Sequence, residues 1–514
     1  MKIKLKKNIV IHPFLFGLFP VLFLYSHNIG QLKFSETLLP SAITLVFTTV
    51  ILTVLWLSLR RNIKKAGVIT SIILILFFSY GHVYELIKEI KIGNFLIGRH
   101  RYLMILFALV FIIAALFLIR TNKELVNLTK FLNIIAIILV LIPLISIGAS
   151  KIKTIDLNDS EDYAVTGDEV YDTSSQDDNL PDIYYIILDG YASSNTLKEF
   201  YGYNNSDLDN FLRDNNFYVA SRSTSNYPNS FLSMASSLNM EYINYLSDTV
   251  GEDSNDRSVP YQMIEDNKVV NYLKSKGYKF IHFSSGWGPT NYNKNADLNI
   301  AVSHTRWNEF NTLLIQTTAL DAFEKKFFQD VGRSRVLNTF KGLADVNEIE
   351  GKKFIFSHIV CPHPPYLFDR EGNAVPAADF DMNNWGPEQK EYYLNQLIYV
   401  NKEIKNLVGE ILAGSESPPV IILQADHGPR NTFMEGRYPT DDMFKEGLRI
   451  LYAIYIPESK YDLLYDTITP ANTFRVIFNT CFGEDYELLE DVNYNSFEFA
   501  PYQFTDITEI VDYN

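Results

Sequence analysis

Five apolar runs crowd into the first 150 residues of this 514-residue chain, roughly Ile9–Tyr25, Leu39–Leu59, Ala66–His82, Tyr102–Ile119 and Phe131–Ala149. Each approaches the ~20 residues that a helix needs to cross the hydrocarbon core of a bilayer. Without water to satisfy its backbone, such a segment must be helical, so the pattern predicts a multi-pass α-helical membrane domain over residues 1–150, with five transmembrane helices. The first run is the shortest and carries Pro13 and Pro20, which raises the alternative of a signal peptide. No small-residue cleavage site follows it, and it reads as a retained anchor. The runs contain no paired buried charges, which gives a transporter little support.

Charge divides at the same place. Residues 1–153 hold 18 Lys+Arg against 4 Asp+Glu, a net +14, whereas residues 154–514 hold 27 against 56, a net −29. Lys2, Lys4, Lys6 and Lys7 precede the first run, and Arg60, Arg61, Lys64 and Lys65 separate the second from the third, so both segments are expected on the cytoplasmic side. Five crossings then place everything after Ala149 outside a plasma membrane. The loop with Lys88, Lys91, Arg99 and Arg101 is more basic than an outer loop should be and is the weak point of this topology. Residues 151–180 are acidic, poor in apolar side chains and without period, the composition of a linker. The acidic remainder excludes a nucleic-acid partner, whose phosphates demand clustered Lys and Arg. Two cysteines, Cys361 and Cys481, are too few for a disulfide framework and leave one bridge open.

From Pro181 to the end, short apolar runs alternate with helical patterns. "DIYYIILDGY", "KFIHFSS", "KKFIFSHIV" and "PVIILQADHG" read as strands, and Glu391–Leu412 is the best intervening helix. Fully apolar strands separated by helices predict an α/β domain, 181–514, with a mostly parallel sheet sandwiched by helices. Ligands of such sheets bind beyond the carboxyl ends of the strands. The residues at those ends are Asp189, Ser284 with Ser285, His358 with His363, and Asp426 with His427. A single Asp there can simply cap a turn. The adjacent acid and imidazole of Asp426 and His427, followed by Gly428, supply oxygen and nitrogen donors at a sharp turn and, with Asp189, point to a metal site.

"PDIYYIILDGY", "PHPPY" and "ADHG", in this order and spacing, make residues 181–490 resemble the sulfatase-like branch of the alkaline phosphatase superfamily. The preceding helices make the chain similar to its membrane-anchored members, the lipoteichoic acid synthases and phosphoethanolamine transferases. The resemblance implies an alkaline-phosphatase-like domain in which Asp189, Asp426, His427 and a hydroxyl nucleophile bind one or two divalent ions, Mn, Zn or Mg. Asp189 departs from the Glu of the lipoteichoic acid synthases. His363 matches the histidine that contacts substrate or moves a proton, and packing between prolines is its structural alternative. His358, inside its strand, is a structural residue, a second-site ligand or a substrate contact. Arg430 is a phosphate clamp or a solvated surface residue. The Cys/Ser-x-Pro-x-Arg pattern of sulfatases that use formylglycine is absent, which favours an unmodified alcohol.

That alcohol is expected in "STSNYPNSFLSMASS" (Ser223–Ser237), where a helix start can hold a phosphate on free N–H groups. Ser225 stands ten residues before Ala235, which resembles the family's spacing from nucleophile to a small helical residue, and so comes first; Ser230, otherwise an N-cap, and Thr224 are the alternates. The function implied is transfer of a phospho-alcohol group, phosphoglycerol or phosphoethanolamine, from a membrane lipid donor to an envelope glycan or polymer acceptor through a covalent Ser intermediate. A hydrolase of phosphate or sulfate esters and a non-catalytic envelope scaffold are the competing readings.

Overall fold

The computed structural model describes residues 9–32, 34–92, 95–158, 180–301, 308–375, 385–429 and 439–513. The chain divides into two compact units, Met1–Asp168 with Asn308–Phe327, and Glu169–Trp307 with Phe328–Asn514. The expected division at residues 150 and 180 is therefore crossed once. Asn308–Phe327, read from the sequence as part of the C-terminal domain, clusters with the N-terminal helices. Most of the acidic linker, 159–179, lies outside the described residues.

Each of the five apolar runs falls in a helix: α1 His12–His27, α2 Leu38–Ser58, α3 Ile63–Ile87, α4 His100–Arg120 and α5 Val126–Asn158. Among the described residues, four stretches are long and apolar enough to cross a bilayer: Phe34–Ser58, Ile63–Ile87, His100–Arg120 and Val126–Ala149. The 16 residues of α1 rise only about 24 Å at 1.5 Å per residue, short of a ~30 Å core. α1 packs along the middle of α5. At its start Asn133 Oδ1, from α5, accepts from the N–H groups of Ile11 and His12 at 3.2 and 3.0 Å. Near its end Val21 and Tyr25 pack with Ile147, further along α5. The interior is closed by small and hydroxylic residues, as expected where apolar lipid gives no hydrophobic reward for helix association. A Cβ on Gly17 would lie 2.9 Å from Thr48 Oγ1, and His12 Nδ1 meets Ser71 Oγ at 2.6 Å. The outward faces of α4 and α5 are apolar and exposed, with Ile113 at 67%, Phe117 at 70% and Ile145 at 67%. Exposed apolar surface of that extent marks contact with lipid.

The second unit is built on a seven-stranded sheet: β1 Ile183–Leu188, β2 Tyr218–Val219, β3 Lys279–Phe283, β4 Leu298–Ile300, β5 Lys353–Ile359, β6 Val420–Gln424 and β7 Tyr452–Tyr455. Their order across the sheet is β2-β7-β6-β1-β5-β3-β4. The pairs β6–β1, β1–β5, β5–β3 and β3–β4 are parallel, and β7 pairs antiparallel with both β6 and β2. Central strands β1, β5 and β6 are buried throughout, which accounts for their largely apolar Val, Ile, Leu, Phe and Tyr composition. One face packs Ile183, Tyr185 and Ile187 against Phe231, Leu232, Met234, Ala235 and Leu238 of the Ser230–Asn239 helix. The opposite face packs Tyr184, Ile186 and Leu188 against the Pro387–Gly414 helix through Tyr393, Leu397 and Ile404. Both cysteines are free thiols, Cys361 buried and Cys481 half-buried, so the bridge left open by the sequence does not form.

Candidate metal centre and nucleophile

Strand register assembles the site. Ile187 of β1 lies beside His358 of β5 on one side and Gln424 of β6 on the other. Neighbours in register point to the same face, and that face recurs every second residue. Asp189 and Asp426, two residues beyond Ile187 and Gln424, therefore join His358 on the face that packs against the Ser230–Asn239 helix. The ladder holds them there: Asp189 N–H donates to Ile359 O at 3.0 Å, and Ala425 N–H to Leu451 O at 3.0 Å.

Five of the residues marked from the sequence form two overlapping triads that share Asp189: Asp189, His363 and His427, and Asp189, His358 and Asp426. The ligand atoms within each triad lie within 4.8 Å of one another. The second triad is buried throughout, while His363 and His427 leave the first partly open. Asp189 turns one oxygen to each: Oδ1 is 3.4 Å from His427 Nε2, and Oδ2 is 3.3 Å from His358 Nε2. Asp426 Oδ2 lies 3.6 Å from His427 Nε2 and 4.0 Å from His358 Nε2.

The hydrogen bonds around the cluster leave its inner atoms bare. His427 Nδ1–H donates to Gly428 O at 2.7 Å, and His363 Nδ1–H donates to Pro364 O at 2.7 Å. Both rings are thereby fixed in the tautomer that leaves Nε2 with a lone pair when neutral, the arrangement a metal-ligating histidine needs. His358 Nδ1 is engaged with Thr290 Oγ1 at 2.9 Å. Asp426 Oδ1 accepts from Gly190 N–H at 3.2 Å and from His427 N–H at 3.0 Å, so Oδ2 is the oxygen left over. Asp189 Oδ1, His358 Nε2 and Asp426 Oδ2 are buried with no well-formed hydrogen bond. Orphaned buried polar atoms of this kind are costly. Two carboxylate oxygens and the facing imidazole nitrogens are a donor set that suits a divalent ion, and these residues fit one.

Electrostatics agree. Burial alone would raise Asp189, but the imidazoles of His363, His358 and His427 outweigh it and hold the carboxyl well below its ordinary range. Burial would push His427 down, yet the facing carboxylates of Asp426 and Asp189 and the Gly428 carbonyl hold it above its ordinary 6.5.

The three hydroxyls weighed from the sequence part company. Ser225 is fully buried, and its hydroxyl lies 2.5 Å from the Asp426 main-chain carbonyl and 2.7 Å from that of Tyr227. It braces the backbone at Asp426. Thr224 Oγ1 accepts from Asn493 Nδ2 at 2.9 Å. Ser230, partly exposed at the first position of its helix, places Oγ 3.2 Å from His427 Nε2. The N-cap residue, Asn229, makes no side-chain capping bond, so the leading N–H groups of the helix are left for another acceptor.

His358, read among other things as a substrate contact, is 1% exposed and belongs to the inner triad. Ser284 and Ser285 bond to Asn291 and Thr290 and do not join the cluster. Arg430 lies outside the described residues. Sequence reasoning passed over Thr290, which orients His358, and Gln396, whose Nε2 donates to the carbonyls of Pro362 and His363 at 3.0 and 3.1 Å and holds the His363 loop. A lone Thr in a loop and a Gln on an amphipathic helix carry no local signal of such roles.

No protein-family model matches the chain, and no curated protein matches it. In structure it is similar to the zinc complex of the C-terminal periplasmic domain of EcEptC from Escherichia coli, at 13% identity and a TM-score of 0.44, covering 65% of this chain and 94% of that one. It is also similar to the integral membrane lipooligosaccharide phosphoethanolamine transferase A (EptA) from Neisseria meningitidis, at 10% identity and a TM-score of 0.37, covering 91% and 95%. A third similar structure is the phosphonate monoester hydrolase of Agrobacterium radiobacter, at 11% identity and a TM-score of 0.39, covering 62% and 80%.

Proposed function

We propose that this chain is a membrane-anchored, metal-dependent transferase of a phospho-alcohol group, with Ser230 as its nucleophile. The observation that carries the proposal is the Ser230 hydroxyl, 3.2 Å from His427 Nε2 at an uncapped helix start. Asp189, Asp426 and His427 are the residues that would hold a divalent ion beside that hydroxyl, with His358 behind them and His363 at the open side. Such an ion supplies Lewis acidity, favouring the alkoxide of the serine and drawing charge from a phosphoryl oxygen.

The chain's own groups account for the remainder. Ser230 Oγ bonds to phosphorus and gives up its proton while the bond from phosphorus to the lipid glycerol oxygen breaks. His363, held by Gln396 with a lone pair on Nε2, is the group at the open side able to take the serine proton and pass it to the leaving diacylglycerol oxygen, and in the second half to take the acceptor hydroxyl's proton and return it to Ser230. The N–H groups at the start of the Ser230–Asn239 helix receive the phosphoryl oxygens. Ser225, first in the sequence ranking, takes no part in this reading, because its one O–H is held by the main-chain carbonyls beside it, nearest that of Asp426. A helical unit with lipid-facing helices gives access to a lipid donor and suits an acceptor in the cell envelope. Phosphoethanolamine, the group named for EptA, is the first to test.

The experiment is to incubate purified full-length protein with vesicles containing phosphatidylethanolamine or phosphatidylglycerol labelled in the headgroup. Release of diacylglycerol together with a labelled peptide containing Ser230 is the expected result. Inorganic phosphate or sulfate released from model esters without diacylglycerol from the lipids would make the chain a hydrolase. Label on a residue other than Ser230 would overturn the assignment of the nucleophile.

A further inference from the structure

Asn308–Phe327 leaves the α/β unit after β4 and rejoins it before β5, yet it is part of the helical unit. Its helix, Glu309–Gln316, buries Phe310 completely and Leu314 nearly so, against Val21, Tyr25, Leu74, Phe78 and Ile147. The main chain after that helix is joined to α3 through both members of one i→i−4 pair: Ala319 N–H donates to Phe77 O at 2.9 Å, and Gly81 N–H donates to Thr317 O at 3.1 Å. Only glycine permits this approach, since a Cβ at position 81 would stand 1.7 Å from Gln316 O. Asn308 Nδ2 donates to Glu36 Oε2 at 2.8 Å, and Asp321 lies 4.0 Å from His100 Nε2. These partners belong to the later parts of α1, α3 and α5, the residues leading into α2 and the start of α4, and so lie toward one end of the bundle. The basic segment Arg60–Lys65 is at the other.

We infer that residues 308–321 are a second, non-covalent attachment of the α/β unit's chain to the membrane unit, independent of the acidic linker. The attachment has the three components of a specific interface: two buried apolar anchors, paired main-chain bonds and polar contacts at its rim. It follows that the segment and the loop 88–99 lie on the same side of the membrane. The excess positive charge of that loop is then on the same side as residues 308–321, away from Arg60–Lys65. The inference stands whatever reaction the site performs.

The test uses the full chain in vesicles, with a protease recognition sequence inserted between residues 159 and 179. After cleavage, the C-terminal fragment of the parent protein is expected to sediment with the vesicles through a high-salt wash. The net −29 of residues 154–514 gives it no electrostatic reason to stay on an anionic surface. The pair Phe310→Asp with Leu314→Asp is expected to move the cleaved fragment into the supernatant, and so is Ala319→Pro, which removes one main-chain donor without touching α1–α5. Uncleaved variants should keep the metal content and melting temperature of the α/β unit, which separates detachment from unfolding. Loss of the parent fragment to the supernatant, or retention of the double variant as complete as the parent's, would overturn the inference.

Discussion

At the scale of the residue, Ser230, second in "STSNYPNSFLSMASS" as the sequence ranks it, is the proposed nucleophile, and Ser225, ranked first, is engaged with main chain. Spacing to a small helical residue favoured Ser225, but the carbonyl that accepts its proton belongs to Asp426, 201 residues away. No local pattern encodes that contact. Ser230 was legible as the second candidate and equally as a capping type, and its proposed role depends on which turn of the helix faces the carboxyl ends of β1 and β6. Ser230→Ala is expected to abolish turnover while leaving bound metal largely in place, as read by elemental analysis and headgroup transfer. Ser225→Ala should instead take the hydroxyl donor from the buried Asp426 main-chain carbonyl and lower stability by about 1–3 kcal/mol, measured by thermal or denaturant unfolding. If Ser225→Ala removed activity in a protein of parental stability and metal content, the bracing role would be wrong.

His427 carries a pH signature. Its folded value is raised above the ordinary 6.5, so in the metal-free protein the imidazolium contributes stability that is complete below 6.5 and lost as pH rises through the folded value. Asp189 is the opposite case: its value is depressed, so its contribution is present above 3.8 and lost as pH falls through the folded value. A metal needs neutral His427, so ion and proton compete there. Zinc binding near pH 6.5 should release a proton and should weaken as pH falls. Calorimetric titration in buffers of different ionisation enthalpy reads the released proton directly, and buffer-independent heats at that pH would count against His427 as a ligand.

At the scale of the element, the sequence was most informative where burial is complete on both faces. β1, β5 and β6 read as apolar runs because no face of theirs meets water, and the residues after them are those the register aligns. Asp189, Asp426 and His427 were therefore recoverable by reasoning on strand ends alone. Edge strands β2 and β4, of two and three residues, offered no period to detect. The turn after β6 depends on Gly428 for a reason also absent from local pattern: a Cβ there would lie 2.0 Å from Glu446 O, across a chain approach closed by the 2.6 Å bond from Gly428 N–H to Gly447 O. Gly428→Ala must push two backbones apart directly beside His427. We expect about 1–3 kcal/mol of destabilisation from the overpacking, with metal affinity reduced in the same variant. Parental metal affinity in Gly428→Ala would show that the turn tolerates the shift.

At the scale of the whole molecule, the split between a net +14 and a net −29 anticipated two environments, and the lipid-facing helices with the polar-rimmed sheet realise them. The order of domains along the chain did not anticipate Asn308–Phe327. Phe310 and Leu314 stand four apart, as on any amphipathic helix of an α/β domain, and nothing local tells which unit their face will meet. That ambiguity has a practical consequence for a chain cut at residue 181 and expressed without the helical unit. Phe310 and Leu314 would lose the cover of Val21, Tyr25, Leu74, Phe78 and Ile147, and Leu320 and Phe323, already 45% and 65% exposed, would extend the patch. Fully burying each such side chain is worth about 1.5–3 kcal/mol, so the uncovered surface should drive self-association in water. Light scattering of residues 181–514 without detergent is expected to report oligomers that disperse on adding micelles. Phe310→Ser with Leu314→Ser should disperse them without micelles, because it removes the two anchors while leaving the sheet and the Asp189 cluster untouched.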